Sequence, residues 1–428
     1  MSVADPIRQS DPPDHRRLGR QLDLFESHEL VGAGLPLWLP DGAVVREQLE
    51  RFVVELERDA GYQRVFSPVL GKRELFERSG HWQHFRDDMF PPMDTGEGQL
   101  VLRPSNCPHH LLMYGARHHS FRELPVRYAE LGTMFRYERS GVVGGLSRVR
   151  AMTLSDAHVF VAPEQVGAEV EEMLRLIDHA YRVLGIAVHR LRLSLRGPGG
   201  SYVDAPRMWD RAEDALRSAL ASAGARWDEA VDEAAFYGPK IDIQVVDPQG
   251  REETLSTVQV DFHQPAAFDL WFQASDGSRR RPVVIHRALV STMERLVAHL
   301  IEQYAGRFPV WLAPVQLAVA PVDAVHDAAA QALVDAATGA GLRAQVVDAR
   351  HSLGARVRAA HERGVPFVGI IGDREVAAGT VSIRRRDGGK LPAMPLDGAL
   401  RMIAVLAADR ALGLDPDAGQ GRAVSRNS

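Results

Sequence analysis

Between Val126 and Phe160 the chain runs VRYAELGTMFRYERSGVVGGLSRVRAMTLSDAHVF, and its charged residues recur two apart: Arg136 with Glu138, Arg148 with Arg150, Asp156 with His158. On an extended strand, residues two apart share a face. The content of β-branched and aromatic residues predicts two strands, Val126–Glu138 and Arg148–Phe160. A loop that turns at Gly141, Gly144 and Gly145 joins them. Unpaired charge is costly to bury, so this face has two readings. It is the solvated side of an edge hairpin, or it is a polyanion site with a metal or acid–base site adjoining it at Asp156 and His158.

Further candidates lie outside the hairpin. In RPSNCPHHLLMY, Arg103–Tyr114, Pro108 suits the first turn of a helix, and Asn106 or Ser105 suits its cap. Cys107 then stands at a helix N-terminus, where the dipole favours thiolate; a buried structural cysteine is the other reading. From spacing alone, Cys107, His158 and His286 are too far apart to be assigned to one zinc site. The histidines and aspartates of SGHWQHFRDDMF, Ser79–Phe90, suit a surface or lid loop better than a ligand set. Glu294 and Arg295 stand in an apolar helical stretch, where the arginine is either paired or reaches a ligand. Arg279–Arg281 is most simply a solvated turn.

The elements that must position these residues belong to a chain of 428 residues, 45% of them hydrophobic, which is enough for a large core and two domains. The formal net charge of −5 confines any nucleic-acid surface to a local basic patch. Cys107 is the single cysteine, so no intramolecular disulfide can form, and a reducing cytoplasm suits the chain. No apolar run reaches the ~18 residues that span a membrane, and MSVADPIRQSDPPDHRR has no signal core. Residues 1–13 and 413–428 are expected to be flexible. Asp41 is expected to cap a helix carrying Val45, Leu49, Phe52, Val53 and Leu56 at helical spacing, followed by a strand, Val65–Leu70, that Pro68 ends or places at an edge. A long helix, Pro163–Leu184, follows. Strands are expected at Leu191–Arg196, Lys240–Val246 and Ser256–Phe262, and a strand running into a helix over Pro282–Phe308. Prolines in Pro309–Pro321 suggest a linker into a small α/β domain with a largely parallel sheet.

These stretches resemble the threonyl-tRNA synthetase family of class II aminoacyl-tRNA synthetases. The motifs are DHRRLGRQLDLF, SGHW, RPSNCP, ELPVRYAELG, FRYE, LSRVRAMTLSDAHVF, MWDRAE, AFYGPKIDI, TVQVDF, IHRALVSTMERL, FPVWLAPVQ and VGIIGDREV, spread from about Asp14 to Leu412. The resemblance implies an α+β fold: a class II antiparallel sheet flanked by helices over residues 14–308, then a small α/β anticodon-binding domain over 309–412. It implies ATP-dependent activation of L-threonine to threonyl-adenylate, with Mg²⁺ on the phosphates, and transfer to tRNA(Thr). The hairpin corresponds to motif 2 and Ala288–Leu300 to motif 3; the end of motif 1 at Pro68 implies a homodimer. Arg136 is implied to hold the α-phosphate and the carboxylate being activated, as the catalytic residue. Glu138 is implied to accept from the adenine amino group, Arg148 to bind the γ-phosphate, and Arg295 to stack on adenine. Cys107, His158 and His286 match the family's zinc ligands, one Zn²⁺ per subunit, with Asp156, Tyr237 and Gln259 on the amino acid. Glu375 and Arg384 match positions that contact anticodon bases, and the Arg384–Arg386 run suits a polyanion or a solvated strand end.

Several positions depart from the family's pattern. Leu154 replaces a glutamine, Thr254 and Ser256 stand in place of glutamine and glycine, Ser291 in place of glycine, His109 of glycine and Ser105 of methionine, and LDFSLP is VDFHQP here. They imply a site still built for a β-hydroxy amino acid but altered in ATP contacts, selectivity or inhibitor sensitivity. The N-terminal editing domains of bacterial relatives are expected to be absent. Alternatives are a specialised or inhibitor-resistant paralogue serving a secondary pathway, and a non-catalytic binding or regulatory protein.

Overall fold

The computed structural model describes residues 12–199, 202–224, 226–348 and 350–415. Of the two segments expected to be flexible, residues 1–11 and 416–428 lie outside the described residues. The chain forms two compact units: one holds residues 27–37 and 50–299, the other the described parts of 1–26, 38–49 and 300–428.

The larger unit is built on eight strands: β1 (Gln63–Arg64), β2 (Val126–Phe135), β3 (Ala151–Val161), β4 (Arg190–Leu195), β5 (Trp227–Val231), β6 (Lys240–Val246), β7 (Glu252–Asp261) and β8 (Val283–Thr292). Their order is β5-β4-β6-β7-β8-β3-β2-β1. The interior pairs are antiparallel, and only the outermost pair at each edge is parallel. An antiparallel sheet lets one face take a core and the other a polar site. Two long helices, Val166–Leu184 and Pro206–Ser222, pack on each other and on the central strands. The first buries Val166, Val170, Met173, Ile177, Ala180, Tyr181 and Leu184. That is the apolar stripe of a 3.6-residue period, and Gly185 ends it in the left-handed conformation at φ 67°.

Several local expectations shift. The strand before the glycine loop ends at Phe135, so Arg136 and Glu138 do not share a strand face; the Glu138 amide instead donates back to the Arg136 carbonyl at 2.8 Å. Asp41 lies inside the helix Pro40–Asp59 and does not precede it. Val65–Leu70 is not one strand: pairing breaks around Pro68, which lacks an amide proton, between Gln63–Arg64 and Leu70–Lys72. Ser79–Phe90 contains a short helix, His81–Phe85, whose His81 is 5% exposed and so is no surface residue. Glu294 and Arg295 open the helix Met293–Gln303, where they stand in its first turn.

The smaller unit holds β9 (Leu317–Pro321), β10 (Ala344–Val346), β11 (Phe367–Ile371), β12 (Thr380–Arg385) and β13 (Met394–Pro395), in the order β10-β9-β11-β12-β13. Only the first three are mutually parallel; β12 and β13 return antiparallel. A parallel crossover needs a dozen or more residues, and the stretch from Ile371 to Thr380 is too short for one. A one-and-a-half-turn helix, Asp373–Ala378, fills it. The expected linker is a packed segment: Val310, Trp311, Leu312 and Ala313 are buried, and Arg343 donates to the carbonyls of Trp311 and Ala313 at 2.7 and 2.9 Å. An apolar Val-Trp-Leu-Ala run is too hydrophobic to stay in water.

One strain point bears on the sheet. Opposite Ser155, β8 bulges: its pairing with β3 passes from Ala288–Asp156 to Thr292–Leu154. Ser291, in the bulge, takes φ 67°, a conformation that disfavours side chains with a Cβ. This gives a physical reason for the family's glycine there. Ser155 Oγ donates to the Ser291 carbonyl and accepts from the Val290 amide, both at 3.1 Å, and so pins the bulge. Ser291→Gly is expected to stabilise the fold by about 0.5–1 kcal/mol, raising the thermal midpoint by a degree or two, approximately. A lower midpoint would show that the serine side chain contributes more than the backbone strain costs.

Candidate functional site

The site is assembled by register. His158 on β3 and His286 on β8 are directly opposed, and Gln259 on β7 is opposed to His286 in turn. Asp156 lies two residues from His158 on the same face of β3. Cys107 comes from another direction, as the first residue of the helix Cys107–Gly115. One ligand atom each from Cys107, His158 and His286 lies within 4.8 Å of the others, and all three residues are buried. The imidazole planes of the two histidines cross at 82° with centroids 4.7 Å apart.

Neighbours hold each imidazole from behind. His286 Nε2 is 2.9 Å from Asp261 Oδ2, and His158 Nδ1 is 2.8 Å from His110 Nδ1. Tyr237 donates its hydroxyl to Gln259 Oε1 at 2.6 Å, and its ring leans on His286 with centroids 4.8 Å apart. Burial raises the Asp156 carboxyl to about 6, against the opposing pull of His110, His286 and Arg287. Burial, with Asp261 and Asp156 close by, also pushes the Cys107 thiol well up. The dipole expectation of a thiolate is thus overridden by desolvation. Both shifts run in the direction a divalent cation would reverse. One sulfur and two nitrogens, converging and supported from behind, fit zinc.

The other half of the site is open. Arg136 is solvent-accessible between walls of protein; that partial desolvation, with Arg295 and Arg148 nearby, lowers its pKa, yet a guanidinium remains charged. Arg148 and Glu138 form an ion pair at 2.9 Å. Arg150 donates to the Glu138 carbonyl at 2.9 Å and lies over the Tyr137 ring. Arg295 makes no ion pair of its own among the described residues: its guanidinium donates to the carbonyls of Ser147 at 3.2 Å and Thr254 at 3.4 Å. A strip of guanidinium groups spanning the loop and the motif 3 helix can receive a chain of phosphates.

In the smaller unit, Glu375 is held by Ser382 Oγ at 2.8 Å and the Gly372 amide at 3.1 Å. Arg384 lies on β12, next to the central strand β11, where it pairs with Val368.

The departures from the family pattern divide. Ser256 Oγ lies 2.7 Å from the Tyr181 hydroxyl and donates to the Leu289 carbonyl, so it belongs to the helix-packed side of the sheet and not to the site. His109 turns toward the Leu70 carbonyl and Phe76. Ser105 Oγ accepts from the Cys107 amide at 3.3 Å. Thr254 Oγ1 accepts from Gln244 at 2.8 Å, while Leu154 packs with Met134, Val149 and Met152. Sequence reasoning missed Asp261, His110 and Glu130. Their available signal was a carboxylate or imidazole standing among strand and core residues, where an unpaired charge has no place.

With this geometry in view, two family models match: the tRNA synthetase class II core domain (G, H, P, S and T) over residues 90–304, and an anticodon binding domain over 316–406. The chain is 48% identical to the threonine--tRNA ligase of Geobacillus sp. (strain WCH70) over 94% of its own length and 63% of that protein. It is also 48% identical to that of Listeria monocytogenes serotype 4a, over 92% of its own length and 62% of that protein. It therefore spans under two thirds of the curated relatives it matches. Among solved structures it resembles one described as the RNA binding domain of threonyl-tRNA synthetase from Cryptosporidium parvum Iowa II, with a TM-score of 0.88 and 32% identity, covering 92% of this chain and 98% of that one.

Proposed function

The chain belongs to the threonyl branch of the class II tRNA synthetase family, and from that premise we propose that it activates L-threonine with ATP and Mg²⁺ and transfers it to tRNA(Thr). The observation that carries this reading is the juxtaposition of a buried Cys107–His158–His286 donor set with an open strip of arginines. The amino-acid carboxylate attacks the α-phosphate, the α–β anhydride bond breaks and pyrophosphate leaves, so the protein supplies position and charge and no nucleophile. Arg136 holds both reacting groups in one planar fork. Arg148 exchanges its ion pair with Glu138 for the γ-phosphate, which frees the Glu138 carboxylate to accept from the adenine amino group. Arg295 lies against the base.

Zinc, when held by Cys107, His158 and His286, supplies a Lewis acid for the amino and hydroxyl groups of threonine. Asp156 accepts from that hydroxyl, and Tyr237 with Gln259 closes the wall over His286. A site built for a hydroxyl rejects valine by about 10⁴–10⁵, while serine, short of one methyl, is disfavoured only ~10–200-fold. Family resemblance adds homodimerisation through motif 1; Phe66, 73% exposed beside Pro68, supports an apolar interface there. Residues 14–308 are proposed as the catalytic part and 309–412 as the anticodon-binding part. No helix among the described residues is long and apolar enough to cross a membrane.

ATP–pyrophosphate exchange tests the reading. Threonine is expected to support exchange, serine weakly and valine negligibly, and Arg136→Ala to lower the rate about 10²–10³-fold. Zinc-replete protein that exchanges with no amino acid would point instead to a non-catalytic binding role. His286→Ala is expected to lose bound zinc and threonine-dependent exchange together; full zinc in that variant removes His286 from the ligand set. Glu375→Ala and Arg384→Ala are expected to weaken charging of tRNA(Thr) while exchange stays unchanged, by about 1–3 kcal/mol per base contact. Charging indifferent to both variants, and to the middle anticodon base, would remove these residues from base recognition.

A further inference from the structure

Behind the donor trio runs a line of buried polar groups that the proposed reaction does not touch. His158 Nδ1 meets His110 Nδ1 at 2.8 Å, and His110 Nε2 meets Glu130 Oε2 at 3.0 Å. Glu130 Oε2 also accepts from Ser67 Oγ at 2.6 Å. Its Oε1 accepts from the Ser67 amide at 3.2 Å and from Arg103 at 3.1 Å. His110, Glu130, Arg103 and His158 are all nearly inaccessible to solvent.

Hydrogen-bond logic assigns the protons along this line. Burial alone would raise the Glu130 carboxyl, but His110, Ser67 and Arg103 outweigh it and bring the group to about 2. A carboxylate only accepts, so His110 carries its proton on Nε2. A neutral His110 then has a bare Nδ1, which can only accept, and the proton between the two rings belongs to His158 Nδ1. His158 is left with a lone pair on Nε2, the nitrogen that a metal can use. His286 reaches the same condition in one step, since Asp261 accepts from its Nε2–H and leaves Nδ1 bare.

We infer that Glu130, acting through His110, sets the tautomer of His158 and makes both residues positioning groups for the metal-binding donor set. This rests on the zinc reading of the trio. The sheet gives the relay its geometry. Glu130 and Asp156 are cross-strand partners, as are Tyr128 and His158, so Glu130 cannot reach His158 directly and a bridging ring is needed. His110, one turn along the helix that begins with Cys107, provides it.

Glu130→Gln is the decisive variant. Its carbonyl must turn to the obligate donors, Arg103 and the Ser67 amide, which aims the NH₂ at His110 Nε2. His110 then carries its proton on Nδ1 and donates to His158 Nδ1, so the His158 proton must sit on Nε2, the zinc-facing nitrogen. Zinc affinity, measured by competition with a chromophoric chelator, is expected to fall about 10–100-fold, and the visible spectrum of the cobalt(II)-loaded protein to weaken. Ser67→Ala removes a hydrogen bond from the same carboxylate without changing the proton order, and is expected to bind zinc as the parent does. Should the Glu130 variant not fold, His110→Leu and His110→Asn serve: asparagine can restore an acceptor near Nδ1 and is expected to recover zinc affinity that leucine loses. Parental affinity in folded Glu130→Gln or in His110→Leu overturns the relay, as does equal loss in Ser67→Ala and Glu130→Gln, or no recovery by asparagine. If Cys107→Ser itself leaves zinc binding unchanged, the zinc reading of the trio fails, and the relay with it.

Discussion

The antiparallel pairing of β3 with β8 sets His158 against His286 and Asp156 against Ala288. Side chains alternate faces along a strand, so a one-residue slip would send both imidazoles to the helix-packed side. There they would meet the surroundings of Arg287, which is fully buried, paired with Glu57 at 2.7 Å and stacked over Tyr62. Burying a guanidinium without its carboxylate costs several kcal/mol, approximately. The Arg287–Glu57 pair therefore holds the register from one face while the donor trio uses it on the other. Ser155, pinning the bulge in β8, ends the regular pairing where the site passes from the donor trio to the strip of arginines.

The two halves meet opposite physical demands. The half that holds the donor trio is closed, and neighbours answer its rings and hydroxyl: Asp261 on His286, His110 on His158, Gln259 on Tyr237. In the proposed reaction that closure would make a missing hydroxyl on the substrate expensive, because the partners left behind would have no water to turn to. The half that holds the arginines is open, and its charges answer one another through the exposed Arg148–Glu138 pair and through backbone carbonyls that hold Arg295. Such pairs are weak in water, so a polyphosphate can displace them at little cost. Rigid discrimination and exchangeable charge thus sit on neighbouring strands of one sheet.

The same contrast limits what the unusual residues can do. Ser256 and Ser291 carry hydroxyls near the proposed substrate positions in sequence, yet Ser256 bonds to Tyr181 on the helix side and Ser291 fills a strained bulge. Their consequences fall on packing and backbone energy. Leu154 and Thr254 lie closer to the open half, one among the methionines of the hairpin and the other supplying a carbonyl to Arg295, so any altered nucleotide contact would run through them.

Sequence alone determined the motifs, most helices and strands, and the residue types of both halves, because short periods and turn residues act locally: the stripe of Val166–Leu184 and the strand Lys240–Val246 needed no distant information. Glycines at 141, 144 and 145 likewise marked the loop that separates the two charged limbs. Resemblance, not spacing, joined Cys107, His158 and His286, since nothing in a chain's local pattern says which distant strands will pair. Tertiary structure decided the rest. It ended the strand before Arg136, buried the Val310–Ala313 segment expected to be a linker, and turned Ser256 away from the site. It also raised the Cys107 thiol where the helix dipole alone favoured thiolate. Each of these depends on register and desolvation, quantities that exist only once residues far apart in the chain have excluded water from one another.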